Sequence, residues 1–213
     1  MDFRLLYIGE LPACGDATQK HAIRRELHTQ LKQLWSSQRN LRELAADKGL
    51  FDVLGARANA ESFVDPAVFH KSFDAGIAKM AENWGKYGFN WLPLVTKEMC
   101  LRCSLDILLL RREKPNRVFM KGDIDARIKT LFDAFRMPGP RQELPTDAMP
   151  LEGEDPFYVL LEDDELIADV RLTTDQLLSI PKAQQYESNY ASVVISVKLQ
   201  TSAPGPLNWA FEH

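Results

Sequence analysis

Apolar positions along the chain recur with two different periods, and their alternation predicts a mixed α/β fold. Residues 3–8 form a short apolar stretch closed by Gly9, Pro12 and Gly15, which reads as a first strand. Over 16–35, Ile23, Leu27, Leu31, Leu34 and Trp35 fall at helical spacing and predict a helix. A second helix suits 41–48, with Gly49 just past its end. Asp65-Pro66 has the form of an N-cap followed by proline at the first helical position, opening a helix through Val68, Phe69 and Phe73 towards Trp84. The pattern then sharpens. Residues 99–110 predict a strand with Leu101, Cys103, Leu105 and Ile107 on one face. Residues 123–136 predict a helix whose buried stripe is Ile124, Ile128, Leu131, Phe132 and Phe135.

A proline-rich loop over 137–156 follows. Strands at 157–161 and 166–172 are joined by Glu162-Asp163-Asp164-Glu165. A last strand at 192–199 buries Val193, Ile195, Val197 and Leu199, and the tail after Thr201 is irregular. The expected architecture is α+β, a short mixed sheet flanked by helices. A strand-and-helix extension over 1–98 is integrated with a core over 99–213.

Composition narrows the class without naming it. At 213 residues the chain is long enough for a substantial core. Its longest unbroken apolar run, 157–161, is far short of the roughly 20 residues that span a bilayer. The start, Met1-Asp2-Phe3-Arg4, lacks the signature of a signal peptide, so a cytoplasmic protein with no membrane partner is expected. Cys14, Cys100 and Cys103 give no disulfide framework. Cys100 and Cys103 form a C-x-x-C, but a spacing of three places them on opposite faces of a strand, and no second Cys or His pair stands nearby to complete a zinc site. Packed thiols are the expectation.

The net charge of −4 is unlike that of most nucleic-acid-binding domains. Its distribution is uneven: Arg102, Arg111, Arg112, Lys114, Arg117 and Lys121 belong to a basic stretch over 97–136. An acidic stretch over 143–175 follows. Lys20, Arg24, His28 and Lys32 recur every fourth residue and make a basic stripe on the first long helix. It reads as a solvated face ahead of a phosphate-contact surface. The aromatics Phe63, Phe69, Phe73, Trp84, Tyr87, Phe89 and Trp91 read as core ahead of base-stacking platforms, and His70 likewise.

Carboxylates carry the candidate chemistry. Asp123 stands where an N-cap is expected, and Asp125 and Lys129, four apart, share one helix face. Taken alone they amount to a cap and an ion pair. Glu162-Asp163-Asp164-Glu165 sets four adjacent acids between two apolar strands, either as a solvated turn or as ligands for a hard divalent cation, which takes carboxylate oxygens from several elements.

The run Gly122-Asp123-Ile124-Asp125-Ala126-Arg127-Ile128-Lys129, continuing into Leu131-Phe132-Asp133-Ala134-Phe135, resembles the signature of the RusA-type Holliday junction resolvases when joined with Leu161-Glu162-Asp163-Asp164-Glu165-Leu166-Ile167. That family has D-x-D-N-x-x-K, an apolar helix with a D-A dipeptide, and a D-D pair leading into a strand. The resemblance implies a homodimeric, metal-dependent endonuclease that hydrolyses phosphodiester bonds in branched DNA with Mg²⁺ or Mn²⁺. By position, Asp123, Asp125 and Asp164 would be the metal-binding acids, Asp163 a supporting acid and Lys129 the catalytic lysine. Arg127, Lys121 and Arg136 would contact the DNA backbone, though each reads by default as a surface charge.

The likeness covers roughly 99–199. Ala126 stands where the family usually has asparagine. The 137–156 connection is longer than the family's, which makes it a candidate cover for the site. Residues 1–98 have no counterpart. A nucleic-acid-binding module without turnover, and an interaction protein using its acidic patch, remain as alternatives.

Overall fold

The computed structural model describes residues 1–54, 65–112, 123–178, 189–203 and 211, with the backbone alone for 51–54 and 123. Phe63, Lys114, Arg117, Lys121 and the tail over 204–210 lie outside the described residues. The fold is mixed α and β, in the order β1 (Asp2–Glu10), α1 (Ala17–Ser37), α2 (Arg39–Leu54), α3 (Pro66–Glu82), β2 (Gly85–Lys86), β3 (Phe89–Val95), β4 (Leu101–Arg111), α4 (Asp123–Phe135), β5 (Phe157–Leu161), β6 (Ile167–Gln176) and β7 (Tyr190–Thr201). Among the described residues, no helix is long and apolar enough to cross a membrane.

Two mixed sheets form. The larger runs β1-β7-β4-β6, antiparallel except for the parallel pair β4–β6, and the smaller runs β2-β3-β5, with β3 and β5 parallel. The two consecutive strands β5 and β6 therefore belong to different sheets, and the acidic turn between them crosses from one to the other. Alternation along β4 and β7 sends Leu105, Ile107, Val193 and Ile195 inward, where they pack with Ile23, Leu27 and Leu31 of α1 in the main core. A second core gathers Phe89, Trp91, Phe157 and Val159 under Leu144 and Ala148 of the 137–156 loop. Phe89 and Trp91 are thus fully buried core, their rings stacked at 5.0 Å, while His70 is exposed rather than packed.

Local chemistry explains most boundaries. Asp16 caps α1 through a reciprocal pair of bonds: its carboxylate accepts from Gln19 N–H at 2.8 Å, and Gln19 Oε1 accepts from Asp16 N–H at 3.0 Å. Asp65 caps α3 and Pro66 opens it, as the sequence predicts. Tyr87 and Gly88, both with positive φ, make the two-residue turn between β2 and β3, a hairpin that the helical reading towards Trp84 missed. The outer edge of β1 is closed by Gln30 of α1, which bonds both the N–H and the C=O of Leu6.

Gly49 does not end its helix. It lies inside α2, because α2 and α3 approach so closely that a Cβ at Gly49 would collide with the Ser72 carbonyl, and one at Gly76 with the Ala45 carbonyl. We predict that Gly76→Ala destabilises the protein by about 1–3 kcal/mol, because the forced separation of two helices outweighs the roughly 1 kcal/mol of helix propensity that alanine adds. Urea unfolding reads this directly; an unchanged midpoint would mean the two helices need no close contact.

Candidate functional site

The candidate residues sit at the two ends of α4. The helix is held in place by its own cations: Arg127, expected at the surface, is buried and donates to the Leu11 carbonyl and, at 3.1 Å, to Asn189 Oδ1, tying α4 to the end of β1 and the start of β7. Thr130 Oγ1 accepts from Gly15 N–H at 3.0 Å.

At the C-terminal end, Asp133 accepts Lys20 Nζ at 2.7 Å and Arg136 Nη2 at 3.2 Å. Arg136 forks onto Glu143 at 2.8 and 3.0 Å. Arg24, 1 % exposed, donates to the carbonyls of Asp133 (2.6 Å), Arg136 (3.1 Å) and Glu143 (3.4 Å). These are carbonyls that a helix end leaves without intrahelical partners, and the guanidinium caps them. Burial lowers the Arg24 pKa to about 10, still well above neutrality, so the group stays charged.

The basic stripe of α1 is consequently not a wholly solvated face: Arg24 and His28 are buried and Lys20 half-buried, while Lys32 stays exposed. Lys20 and Arg24 hold the end of α4. His28 Nδ1 accepts from Tyr158 N–H at 2.9 Å, and Lys32 donates to the Gly153 carbonyl at 2.6 Å. Arg25 adds an ion pair to Glu154 at 2.8 Å. Together these groups clamp the 137–156 loop onto α1, and Lys86 and Tyr87 fix Gly139 from the other side. The loop is a bound part of the structure, covering the second core. Periodicity could not reveal this, since the partners are backbone groups and a carboxylate over a hundred residues away in sequence. Asp133 lay in plain view within the D-A dipeptide; Glu143 carried no signal.

Asp163 and Asp164 lie beside this network at the short 3-10 turn Asp164–Leu166 that leads into β6. Asp164 is half exposed, with its Oδ2 4.0 Å from Arg136 Nε. Partial burial and a hydrogen bond with Asp163 hold its carboxyl above the usual range, against the opposing pull of Arg136. Asp163 is held below that range, first by the N–H of Glu165, which donates to it at 3.1 Å. The two neighbouring carboxyls are thus pushed in opposite directions. Glu165 pairs with Lys97 across the turn.

Asp125 stands near the other end and Lys129 at the middle of the helix. Both are exposed on one face of α4, and among the described residues neither makes an ion pair. The expected one-turn pair between them does not form. Asp125 is about 12 Å along the helix axis from Asp133, so the structure brings Asp164 to Asp133 and Arg136 rather than to Asp125. No three His, Cys, Asp or Glu side chains that could hold a metal come together among the described residues, which do not include the Asp123 carboxylate. Of the C-x-x-C, Cys103 is buried in β4, where burial pushes its thiol up to about 12, while Cys100 precedes the strand in a turn at positive φ. The chain matches no protein-family model, no curated protein and no solved structure.

The clamp has a pH signature. His21, 2 % exposed between Phe89 and Phe157, has no hydrogen-bond partner on either ring nitrogen among the described residues. Burial, then the charges of Arg25 and Arg24, lowers its pKa from 6.5 to about 4, while Glu154 pulls the other way. The unfolded chain therefore binds the proton first, and the stability contributed by neutral His21 is complete above pH 6.5 and lost as pH falls towards 4. We predict that His21→Phe flattens the loss of thermal stability between these values, measured by melting temperature against pH. Arg24→Met, leaving three buried carbonyls without a donor, should cost about 3 kcal/mol or more; a urea midpoint close to that of the native chain would refute the clamp.

Proposed function

We propose that the chain is a metal-dependent endonuclease of RusA type, acting as a homodimer on phosphodiester bonds in branched DNA. The observation that carries the proposal is the division of charge along α4. Arg127 and Asp133 within the helix, and Arg136 just beyond it, are bound internally, whereas Asp125 and Lys129 are presented to solvent on one face without ion pairs among the described residues. An acid and an amine held one turn apart on an exposed face suit a phosphate and its attacking water.

The donor chemistry at the head of α4 suits Mg²⁺ or Mn²⁺, because Mg²⁺ needs only one or two protein carboxylates and completes its shell with water and phosphate oxygens. Asp125 and Asp123 would hold the ion there. When bound it supplies positive charge that lowers the pKa of a water and offsets charge on the phosphate. The Lys129 ammonium would sit beside the non-bridging oxygens and stabilise charge developing on them. The Asp125 carboxylate would orient the attacking water. Asp163 and Asp164, which the resemblance adds to the same ligand set, lie at the far end of the helix.

That separation, together with Ala126 in place of the family's asparagine, favours a second reading, in which the chain binds branched nucleic acid without turnover. The test is cleavage of a synthetic four-way DNA junction with Mg²⁺ or Mn²⁺. We expect the native chain to cut and Asp125→Asn or Lys129→Ala to lose about 10²-fold or more in rate. Junction binding that weakens with salt, without cutting, would select the second reading. Neither binding nor cutting would overturn both. Asp164→Asn separates the two ends of α4. A loss equal to that of Asp125→Asn makes the four carboxylates one ligand set; full activity places the chemistry at the head of the helix alone.

A further inference from the structure

The packing of α1 and α3 leaves a groove between them. α3 lies on α2 and β3, whereas α1 lies on β1, β5 and α4, so the two helices do not pack closely on each other. The groove encloses about 550 Å³. Helical spacing decides what lines it. Phe73 and Ile77, four apart, turn one apolar stripe of α3 towards it, with Asp74 beside them. Lys32 faces them from α1, and Asp155 and Tyr158 come from the segment entering β5.

Tyr158 is the unusual member. Its side chain is only 4 % exposed and belongs to the main core. Its backbone N–H is taken by His28, yet its hydroxyl has no hydrogen-bond partner among the described residues. Trp35 Nε1 and Ser72 Oγ are sealed from solvent without a partner; the Tyr158 hydroxyl is not, and what it opens to is the groove. A buried phenol normally has its oxygen satisfied, so one left unpaired by the fold points to water or a ligand. The Asp74 carboxylate, exposed at the same groove, likewise makes no ion pair or hydrogen bond among the described residues. Burial, and after it the charge of Asp74, pushes the phenol up to about 12, so it stays neutral. The other two charged groups are engaged: Asp155 accepts from Asn90 at 3.1 Å, and Lys32 donates to the Gly153 carbonyl at 2.6 Å.

We propose that this groove binds a small organic cation, a primary ammonium on an apolar stem. The ammonium lies between the Asp74 carboxylate and the Tyr158 hydroxyl, and the stem lies against Phe73 and Ile77. An ammonium carries three donors and no acceptor, which matches two oxygens that have no donor of their own. The Phe73 ring adds an aromatic face suited to a cation. An anion would meet Asp74 and Asp155 against one lysine already bonded elsewhere. A neutral apolar ligand would strip water from the carboxylate and the phenol without replacing it. The groove shares no residue with the head of α4, and the cleavage result leaves this assignment standing or falling on its own.

A protein-observed NMR titration with phenethylammonium tests the site, with 2-phenylethanol and phenylacetate as neutral and anionic probes of similar shape. We expect the cation to shift amides within 73–78 and 155–158 with a dissociation constant of roughly a millimolar, ordinary for a ligand of about nine non-hydrogen atoms. Both other probes should bind at least about tenfold more weakly. Asp74→Asn, an exposed substitution, should weaken the cation about tenfold. Tyr158→Phe should weaken it several-fold with an unchanged melting temperature, because the hydroxyl makes no bond within the fold. Nα-acetyl-lysine methylamide, titrated in parallel, identifies the source of the ammonium. Tighter binding of that probe assigns a lysine side chain of a peptide, and tighter binding of phenethylammonium a free amine; either supports the site. Equal affinity for the cation and 2-phenylethanol overturns the proposal. So does the absence of shifts at these two segments, or a cation indifferent to Asp74→Asn.

Discussion

The buried guanidinium of Arg24 is the contact through which the rest of the candidate region is organised. It sits on α1, almost wholly removed from water, and donates to three carbonyls at and beyond the end of α4. Three elements far apart in sequence, α1, α4 and the Arg141–Glu143 turn, are thereby fixed to one rigid planar group, and removing it would leave several buried acceptors without donors. Arg136 and Asp133 gain their positions from this arrangement. Their side chains complete a ring of charge with Lys20 and Glu143, and Asp164 lies against its rim.

The consequence for chemistry is a partition of α4 by face. Arg127, Asp133 and, just beyond the helix, Arg136 have internal partners. Asp125 and Lys129 point outward with no ion pair among the described residues. A helix that anchors by one end and one face can present reactive groups at the other with little loss of precision, because the scaffold and not the loop sets their positions. The long 137–156 connection serves the anchoring side. Arg25 and Lys32 bind it to α1 and it roofs the aromatic core, so it stabilises the region.

The sheets divide the molecule in a related way. The inner face of the larger sheet packs with α1 into the main core; the other carries the rows Leu6, Val194, Leu108 and Ile8, Ser192, Leu110. The crossing between sheets at Glu162-Asp163-Asp164-Glu165 explains why four acids tolerate one another there: the turn is largely exposed, and Lys97 and Arg136 reach it from just beyond the ends of β3 and α4.

The sequence by itself determined the elements whose signal is local. The stripes of α1 and α4, the Asp65-Pro66 start of α3, and the alternation along β4 and β7 each follow from a period or a cap within one segment. It also determined that Asp125 and Lys129 share a face, since a spacing of four does so on any helix. Tertiary structure alone decided what has no local period. Gly49 reads as a helix end, but close approach to α3 keeps it inside α2. Lys20, Arg24, His28 and Lys32 read as a solvent face; a carboxylate, carbonyls and a backbone N–H from over a hundred residues away turn the first three inward, while Lys32 stays exposed. The β2–β3 hairpin was hidden among aromatics whose burial depends on β5 and the loop above it. Which acids meet was decided the same way. Adjacency in sequence joins Asp163 to Asp164, but the length of α4 and the parallel alignment of Arg136 with Leu161 set Asp164 against one end of the helix and Asp125 at the other.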